Sequence, residues 1–259
     1  MGLANKVAIV TGGTRGIGYA IAQNLLDAGC HVAICGRHAP AALPTSREKT
    51  ATFFTCDVRD AEQARAFVDA VATQHGRLDI LVNNAGGSPQ AEAASASPRF
   101  SEAIVALNLL APLHVAQAAF RHMNAQETGG SIVNIASVSG MRPSPGTAMY
   151  GAAKAGLLSL TGSLAQEWGP KVRVNAIVVG LMETENTEQT YGSIQTQAEI
   201  AASLPLQRMG RASDVAAAVQ FLASPLAAYI SGAQLSVDGG GERPHFLELI
   251  KQASKRRSP

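Results

Sequence analysis

Tyr150 and Lys154 stand four residues apart in a helical pattern, which sets a phenol and an amine on one face. A free tyrosine has a pKa of about 10, too high for ready ionisation near neutrality. A nearby ammonium favours the phenolate, and close opposite charges move such groups by about 1–3 pH units. A phenol tuned in this way can protonate a carbonyl oxygen during reduction or accept a proton during alcohol oxidation. The spacing alone is common on exposed helices, so its meaning depends on its surroundings.

A second stretch with chemical content is Thr11-Gly12-Gly13-Thr14-Arg15-Gly16-Ile17-Gly18, lying between a β-like run and an amphipathic helix. Gly12 permits a tight turn, Gly16 lets backbone approach a pyrophosphate, and Gly18 lets the helix pack near the sheet. The helix start adds free N–H groups and the positive end of its dipole, so an anion is the natural occupant. A glycine-rich match acquires weight from this strand–turn–helix setting. About twenty residues further on, a carboxylate would bind the ribose hydroxyls of NAD. The sequence instead has Gly36-Arg37-His38, with no acid before Glu48. A guanidinium pairs well with a 2′-phosphate, and Arg15 offers a second positive group, so NADP(H) is favoured over NAD(H).

The elements that must hold these groups alternate along the chain. Apolar runs predict strands over 6–11, 31–35, 52–55, 79–82, 131–136, 172–178 and 234–237. Helical patterns fall over 16–28, 60–74, 101–123, 150–168 and 213–222. The strand runs are apolar throughout, as where helices cover both faces of a sheet. Strand-then-helix alternation predicts a single-domain α/β fold, a Rossmann-type doubly wound parallel sheet of about seven strands. Ligands of such sheets bind beyond the carboxyl ends of the strands. Two stretches depart from the rhythm. Residues 39–49 carry Pro40 and Pro44, which argues against a full helix there, and 181–209 reads as a long polar loop suited to a substrate flap.

Composition removes other classes. Twenty-one basic against 19 acidic residues leave a net charge of +2, without the concentrated basic face that nucleic acid requires. The basic cluster Lys251, Lys255, Arg256 and Arg257 sits in a stretch expected to be a solvated end. The longest charge-free interval, between Asp214 and Asp238, is broken by Pro225, Ser231 and Gly232, so no membrane span is expected. Val7-Ala8-Ile9-Val10 is too short for a secretory leader. Cys30, Cys35 and Cys56 are odd in number and lack a CxxC spacing; they fit buried residues of a reduced, cytoplasmic compartment. His31, His38, His75, His114, His122 and His245 form no metal-binding spacing, and no metal is expected.

Taken together, the motifs resemble the short-chain dehydrogenase/reductase family, from about Lys6 to Gly240. Its TGxxxGxG turn matches Thr11–Gly18, its NNAG element matches Asn83-Asn84-Ala85-Gly86, and its acid near the adenine ring matches Asp57 in Cys56-Asp57-Val58. Asn108, Ser137, Tyr150 and Lys154 match the four catalytic positions, Ser137 lying thirteen residues before Tyr150. The rival Ser139 lies two residues too close to the tyrosine. The resemblance implies that hydride passes between a nicotinamide and a carbonyl carbon while Tyr150 gives the proton and Ser137 steadies the oxygen. It also implies that Lys154 holds the ribose and lowers the Tyr150 pKa, and that Asn108 positions a relay water.

The implied dinucleotide site comprises Gly12, Thr14, Arg15, Gly16, Ile17, Gly18, Arg37, Asp57, Val58, Asn84, Ala85, Gly86, Tyr150, Lys154, Val179, Gly180 and Thr184. Val179-Gly180 departs from the family's usual Pro-Gly after the sixth strand, though Thr184 keeps its spacing. Residues 1–241 form the expected catalytic domain, and 242–259 an extension that packs on a neighbour or frays. The leading expectation is a reductase acting on a ketone, either a 3-oxoacyl thioester or a small free ketone, within a homotetramer. The alternatives are an NAD(P)-dependent alcohol or sugar dehydrogenase working oxidatively, and a non-catalytic NADP-binding regulator.

Overall fold

The computed structural model describes residues 1–46, 48–185, 187–244, 246–247 and 249–250. Its elements run β1 (Val7–Thr11), α1 (Gly16–Asp27), β2 (His31–Gly36), β3 (Thr52–Thr55), α2 (Ala61–His75), β4 (Ile80–Asn83), α3 (Pro98–Val105) and α4 (Ala111–Ala125). They continue with β5 (Gly130–Ser137), α5 (Ala148–Trp168), β6 (Val172–Val179), α6 (Thr187–Tyr191), α7 (Ile194–Ser203), α8 (Ala212–Ala223) and β7 (Gln234–Val237). The strands form one parallel seven-stranded sheet in the order β3-β2-β1-β4-β5-β6-β7. The order reverses between β1 and β4, the crevice where doubly wound sheets bind ligands.

The unbroken apolar strands follow from two cores. In β1, Ala8 and Val10 face the core beneath α1 and α8, whereas Val7 and Ile9 face the core beneath α2 and α4. Successive side chains alternate across a strand, so both parities must be apolar when both faces are covered. At the lower edge Asp79, 6% exposed, accepts from Lys6 Nζ at 3.1 Å and from the Val7 N–H at 2.9 Å and is paired with Arg77. This satisfies a carboxylate that would otherwise be buried at high cost.

Helix boundaries have local causes. Asp60 caps α2 by accepting from the N–H groups of Glu62 and Gln63, and Gly76 closes it at φ 66°. Ser97 caps α3, whose first turn begins with Pro98. The predicted single helix over 101–123 is α3 and α4 joined by a π-helical turn, Ala106–Leu110, holding Asn108. The whole run Pro98–Ala125 is long and apolar enough to cross a membrane, yet Ala111, Val115, Ala116, Ala119 and Met123 are buried against the sheet and α2. It is a core helix. The polar stretch 181–209, read from sequence as loop, holds α6 and α7. Ser193 supplies the cap of α7 through the Thr196 N–H. The segment after Arg37 contains no described helix, only a bridge between Thr45 and Thr50. Of the extension, Glu242 is ion-paired with Arg142 in the β5–α5 connection; Lys251, Lys255, Arg256 and Arg257 lie outside the described residues.

Candidate active site

The glycine turn lies between β1 and α1. Gly12 and Gly16 take φ values of 64° and 54°, which glycine adopts without penalty. A Cβ on Gly18 would stand 2.3 Å from the Gly12 carbonyl oxygen and 2.4 Å from Asn84 Nδ2, so only glycine fits. Asn84 braces the turn: its Nδ2 donates to the carbonyls of Thr11 and Gly12 at 2.9 and 3.2 Å. The Thr11 hydroxyl accepts from the N–H groups of Asn84 and Ala85, each at 3.0 Å. No side chain caps α1, and its first turn holds no acid. The space beside Gly16 is open. Unpartnered donors at a positive helix end beside open space suit a pyrophosphate, so these residues fit the dinucleotide.

At the far end of β2, Thr14 packs against Gly36, and Arg15 and Arg37 are exposed. Asp57 is engaged by Arg59, whose Nε donates to both carboxylate oxygens at 2.9 and 3.1 Å. Hydrogen bonding from Arg59 foremost, with Arg37 contributing, holds the Asp57 carboxyl below its ordinary range. Sequence reading missed Arg59; its position two residues beyond Asp57 was the available signal. Val58 turns its side chain into the core, which leaves its backbone as the part able to face a ligand.

The four positions expected to be catalytic come together at the carboxyl edge of β4 and β5. Ser137 ends β5, and its Oγ accepts the Ser139 N–H at 3.2 Å. Ser137 also lies near enough to the Tyr150 phenol to lower it. Lys154 lies one turn along α5, its Nζ 5.6 Å from the Tyr150 ring centroid and donating to the Ile135 carbonyl at 2.7 Å. Asn108 is fully buried; its Nδ2 donates to the carbonyls of Gly87 and Ile104 at 2.9 and 3.0 Å, and its Oδ1 accepts the Gly87 N–H at 2.9 Å. A Cβ on Gly86 would stand 2.8 Å from Asn108 Oδ1 and 3.2 Å from Lys154 Nζ. The NNAG stretch therefore separates the asparagine from the lysine by a gap only glycine leaves open.

The electrostatics correct one expectation. Burial pushes the Tyr150 phenol above its ordinary value, opposed by the weaker effect of Ser137 and aided by the phenol of Tyr191 on α6. Burial also lowers Lys154 to about 8. The amine is directed at Ile135 rather than at the phenol oxygen, so it does not make Tyr150 acidic here. Val179, where the family has proline, continues β6 against Val237, and the Gly180 N–H donates to the Val237 carbonyl at 3.0 Å. Thr184 is exposed at the start of the flap, its N–H bonded to Thr187 Oγ1. A pocket of about 90 Å³ beside Tyr150 is lined by Ser88, Ala91, Ala96, Phe100 and Met149 among other uncharged residues.

This architecture agrees with what the chain is similar to. The family model described as Enoyl-(Acyl carrier protein) reductase matches residues 12–242. The chain belongs to the short-chain dehydrogenase/reductase family. Among its relatives in that family, 2-dehydro-3-deoxy-D-gluconate 5-dehydrogenase of Escherichia coli (strain K12) is 36% identical, across 92% of this chain and 96% of its own. The 3-oxoacyl-acyl-carrier-protein reductase of Chlamydia trachomatis serovar D is 37% identical, across 92% and 98%. The ligand-free aldohexose dehydrogenase of Thermoplasma acidophilum superposes with a TM-score of 0.85 at 32% identity, across 92% of this chain and 94% of its own. As a short-chain dehydrogenase/reductase, the protein is an oxidoreductase that acts on CH–OH or C=O groups with a nicotinamide cofactor.

Proposed function

We propose that the protein is an NADPH-dependent reductase of a ketone, with Tyr150 as proton donor, Ser137 as stabiliser of the developing oxyanion, and Lys154 and Asn108 as the proton-relay pair. The bound nicotinamide supplies hydride to the carbonyl carbon. The observation that carries the proton-donor role is the burial of Tyr150, which holds its phenol above the ordinary value. A protonated phenol beside Ser137 is prepared to give its proton to an oxygen that both can reach. Lys154, at about 8, exchanges protons near neutral pH and is the proton source of the relay, which must bridge from the amine at Ile135 to the phenol. Asn108 fixes Gly87 and the π-helical turn in place beside it.

NADPH rather than NADH is supported by the charge around the end of β2. Arg15 and Arg37 are exposed there, and Asp57, the nearby acid, is compensated by Arg59. A 2′-phosphate would meet two free guanidiniums and little uncompensated negative charge. The uncharged pocket beside Tyr150 supports a 3-oxoacyl thioester or a compact free ketone, presented without its charged portion. The names of the E. coli and Thermoplasma relatives keep sugar-derived substrates in the test. We further propose a cytoplasmic homotetramer, with 1–241 as the catalytic unit.

The test follows dinucleotide absorbance with both cofactors over 3-oxoacyl thioesters, cyclic ketones and sugar-derived substrates, in both directions. Reduction with a lower KM for NADPH than for NADH is expected, and Arg37→Ala should narrow that difference by about tenfold or more. A wild type that prefers NADH, or that only oxidises alcohols, overturns the reading. Tyr150→Phe should lower turnover by at least about 10²-fold with dinucleotide affinity nearly unchanged; substantial residual turnover removes the phenol from the mechanism.

A further inference from the structure

Two of the three cysteines are brought together by strand register. In the parallel pairing of β2 with β3, Cys35 lies opposite Phe54 and Gly36 opposite Thr55. Cys56 extends the ladder by one residue, its N–H donating to the Gly36 carbonyl at 3.0 Å. Alternation then puts Cys56 on the sheet face of Phe54, the face that Cys35 also occupies. Both thiols sit in the core beneath α2, at 0% and 2% exposure, near enough for each to shift the other's titration. Cys30 belongs to the opposite core, where its Sγ donates to the Leu3 carbonyl at 3.3 Å.

The pair adjoins the dinucleotide site on both sides. The Cys35 carbonyl accepts the Gly12 N–H at 3.0 Å, holding the glycine turn, and Arg37 follows two residues later. Cys56 immediately precedes Asp57. The two thiols are also unequal: Cys35 is on the inner strand β2 with no exposure, where burial raises it, whereas Cys56 lies one residue past the edge strand β3 and is the sulfur that an opening there uncovers first. Such asymmetry separates an attacking sulfur from a resolving one. β3 is a four-residue edge strand with exposed ends, so its local opening would give a peroxide access to Cys56.

We infer that Cys35 and Cys56 form a redox-active dithiol that a hydroperoxide converts to an intramolecular disulfide, loosening the adjoining dinucleotide site. The Cys56 thiolate attacks the peroxide O–O bond, giving a sulfenic acid and an alkoxide that takes up a proton. The Cys35 sulfur then displaces hydroxide from Cys56, and its own proton completes water. The balance is two thiols and one hydroperoxide to one disulfide, one alcohol and one water. The sulfurs must close to about 2.05 Å, which draws the ends of β2 and β3 together and disturbs the Gly12 anchor. The bridge is independent of the proposed activity; its effect on binding rests on that reading.

The experiment treats the full-length reduced protein with hydrogen peroxide, counts thiols in denaturant, maps disulfide-linked peptides, and titrates NADPH by fluorescence. The expected result is a fall from three free cysteines to one, a mass loss of about 2 Da and a 35–56 peptide. NADPH Kd should rise at least about tenfold and return with dithiothreitol. In Cys35→Ser and in Cys56→Ser, peroxide should leave NADPH binding unchanged. Retention of all three thiols, linkage through Cys30 or between chains, or a 35–56 bridge with unaltered Kd overturns the inference. Wild-type peptide mapping decides the bridge even where a serine variant fails to fold. A reduced protein that binds no dinucleotide counts against the proposed activity, while the thiol count and peptide map still decide the bridge.

Discussion

At Lys154 an amine is held 3% exposed with one backbone acceptor, the Ile135 carbonyl, and its pKa falls to about 8 from the ordinary 10.5. The unfolded chain therefore holds more protons than the fold between those two values, so this lysine costs stability at neutral pH and the cost fades as pH rises. Replacing it by methionine should remove that pH dependence. The stability of the wild type relative to Lys154→Met should improve by about 2–3 kcal/mol between pH 7 and pH 10, read by urea denaturation of the cofactor-free proteins. A constant difference across that range would show the amine to be solvated. Tyr150 and Lys154 were legible from a spacing that puts phenol and amine on one helix face, whereas Ser137 and Asn108 were legible only through the resemblance to the family's four catalytic positions. The sequence did not reveal the direction of the Tyr150 shift. That depends on how the phenol is desolvated and on Ile135 capturing the amine, neither of which is encoded in spacing. Arg59 escaped for a related reason: a guanidinium two residues from an acid signifies nothing until the backbone folds it back.

At the scale of elements, the strands were legible because a sheet covered on both faces demands apolar residues at every position, as the two cores of β1 illustrate. The π-helical turn around Asn108 was not, since inserting one residue's worth of helix leaves hydrophobic periodicity nearly intact over so short a run. The flap helices α6 and α7 were hidden because α7 has no fully buried residue, so no apolar stripe marks it. The Cys35–Cys56 pair depends on the register of β2 against β3, which periodicity cannot supply. The glycine turn offers the sharpest test of element packing. Gly18→Ala would force a Cβ to within 2.3 Å of the Gly12 oxygen, and should destabilise the protein by about 1–3 kcal/mol or more while weakening dinucleotide binding. Gly76→Ala, at φ 66° with open space around it, should cost only about 1 kcal/mol and leave binding unchanged. Equal effects of the two substitutions on dinucleotide Kd would mean that α1 is not positioned by its approach to β1.

On the scale of the whole molecule, the two helical layers differ in what their outer surfaces present. On α5, Gly151, Lys154, Leu157, Leu158 and Leu164 are buried toward the sheet, whereas the opposite face carries small residues, Ala152, Ala155, Ser159 and Ser163, all exposed. Beside it Phe120 of α4 stacks on Trp168 at 4.6 Å between ring centroids, both partly exposed, and Leu110 is 42% exposed. Small side chains let a second helix approach closely, and the aromatic stack and leucine supply apolar area at the margin. The tetramer we propose uses this surface. A homotetramer would bury it at the back of the helix that carries Tyr150 and Lys154, so assembly and the alignment of the catalytic face would be coupled through one rigid element. Sedimentation at micromolar concentration should show a species four times the 26.8 kDa chain. Ser159→Arg combined with Ser163→Arg should break that species down, because a desolvated guanidinium without a partner costs several kcal/mol at an interface. The dissociated protein should keep its far-UV circular dichroism and lose turnover. A wild type that sediments at 26.8 kDa, or a double variant that stays assembled, removes α5 from the interface.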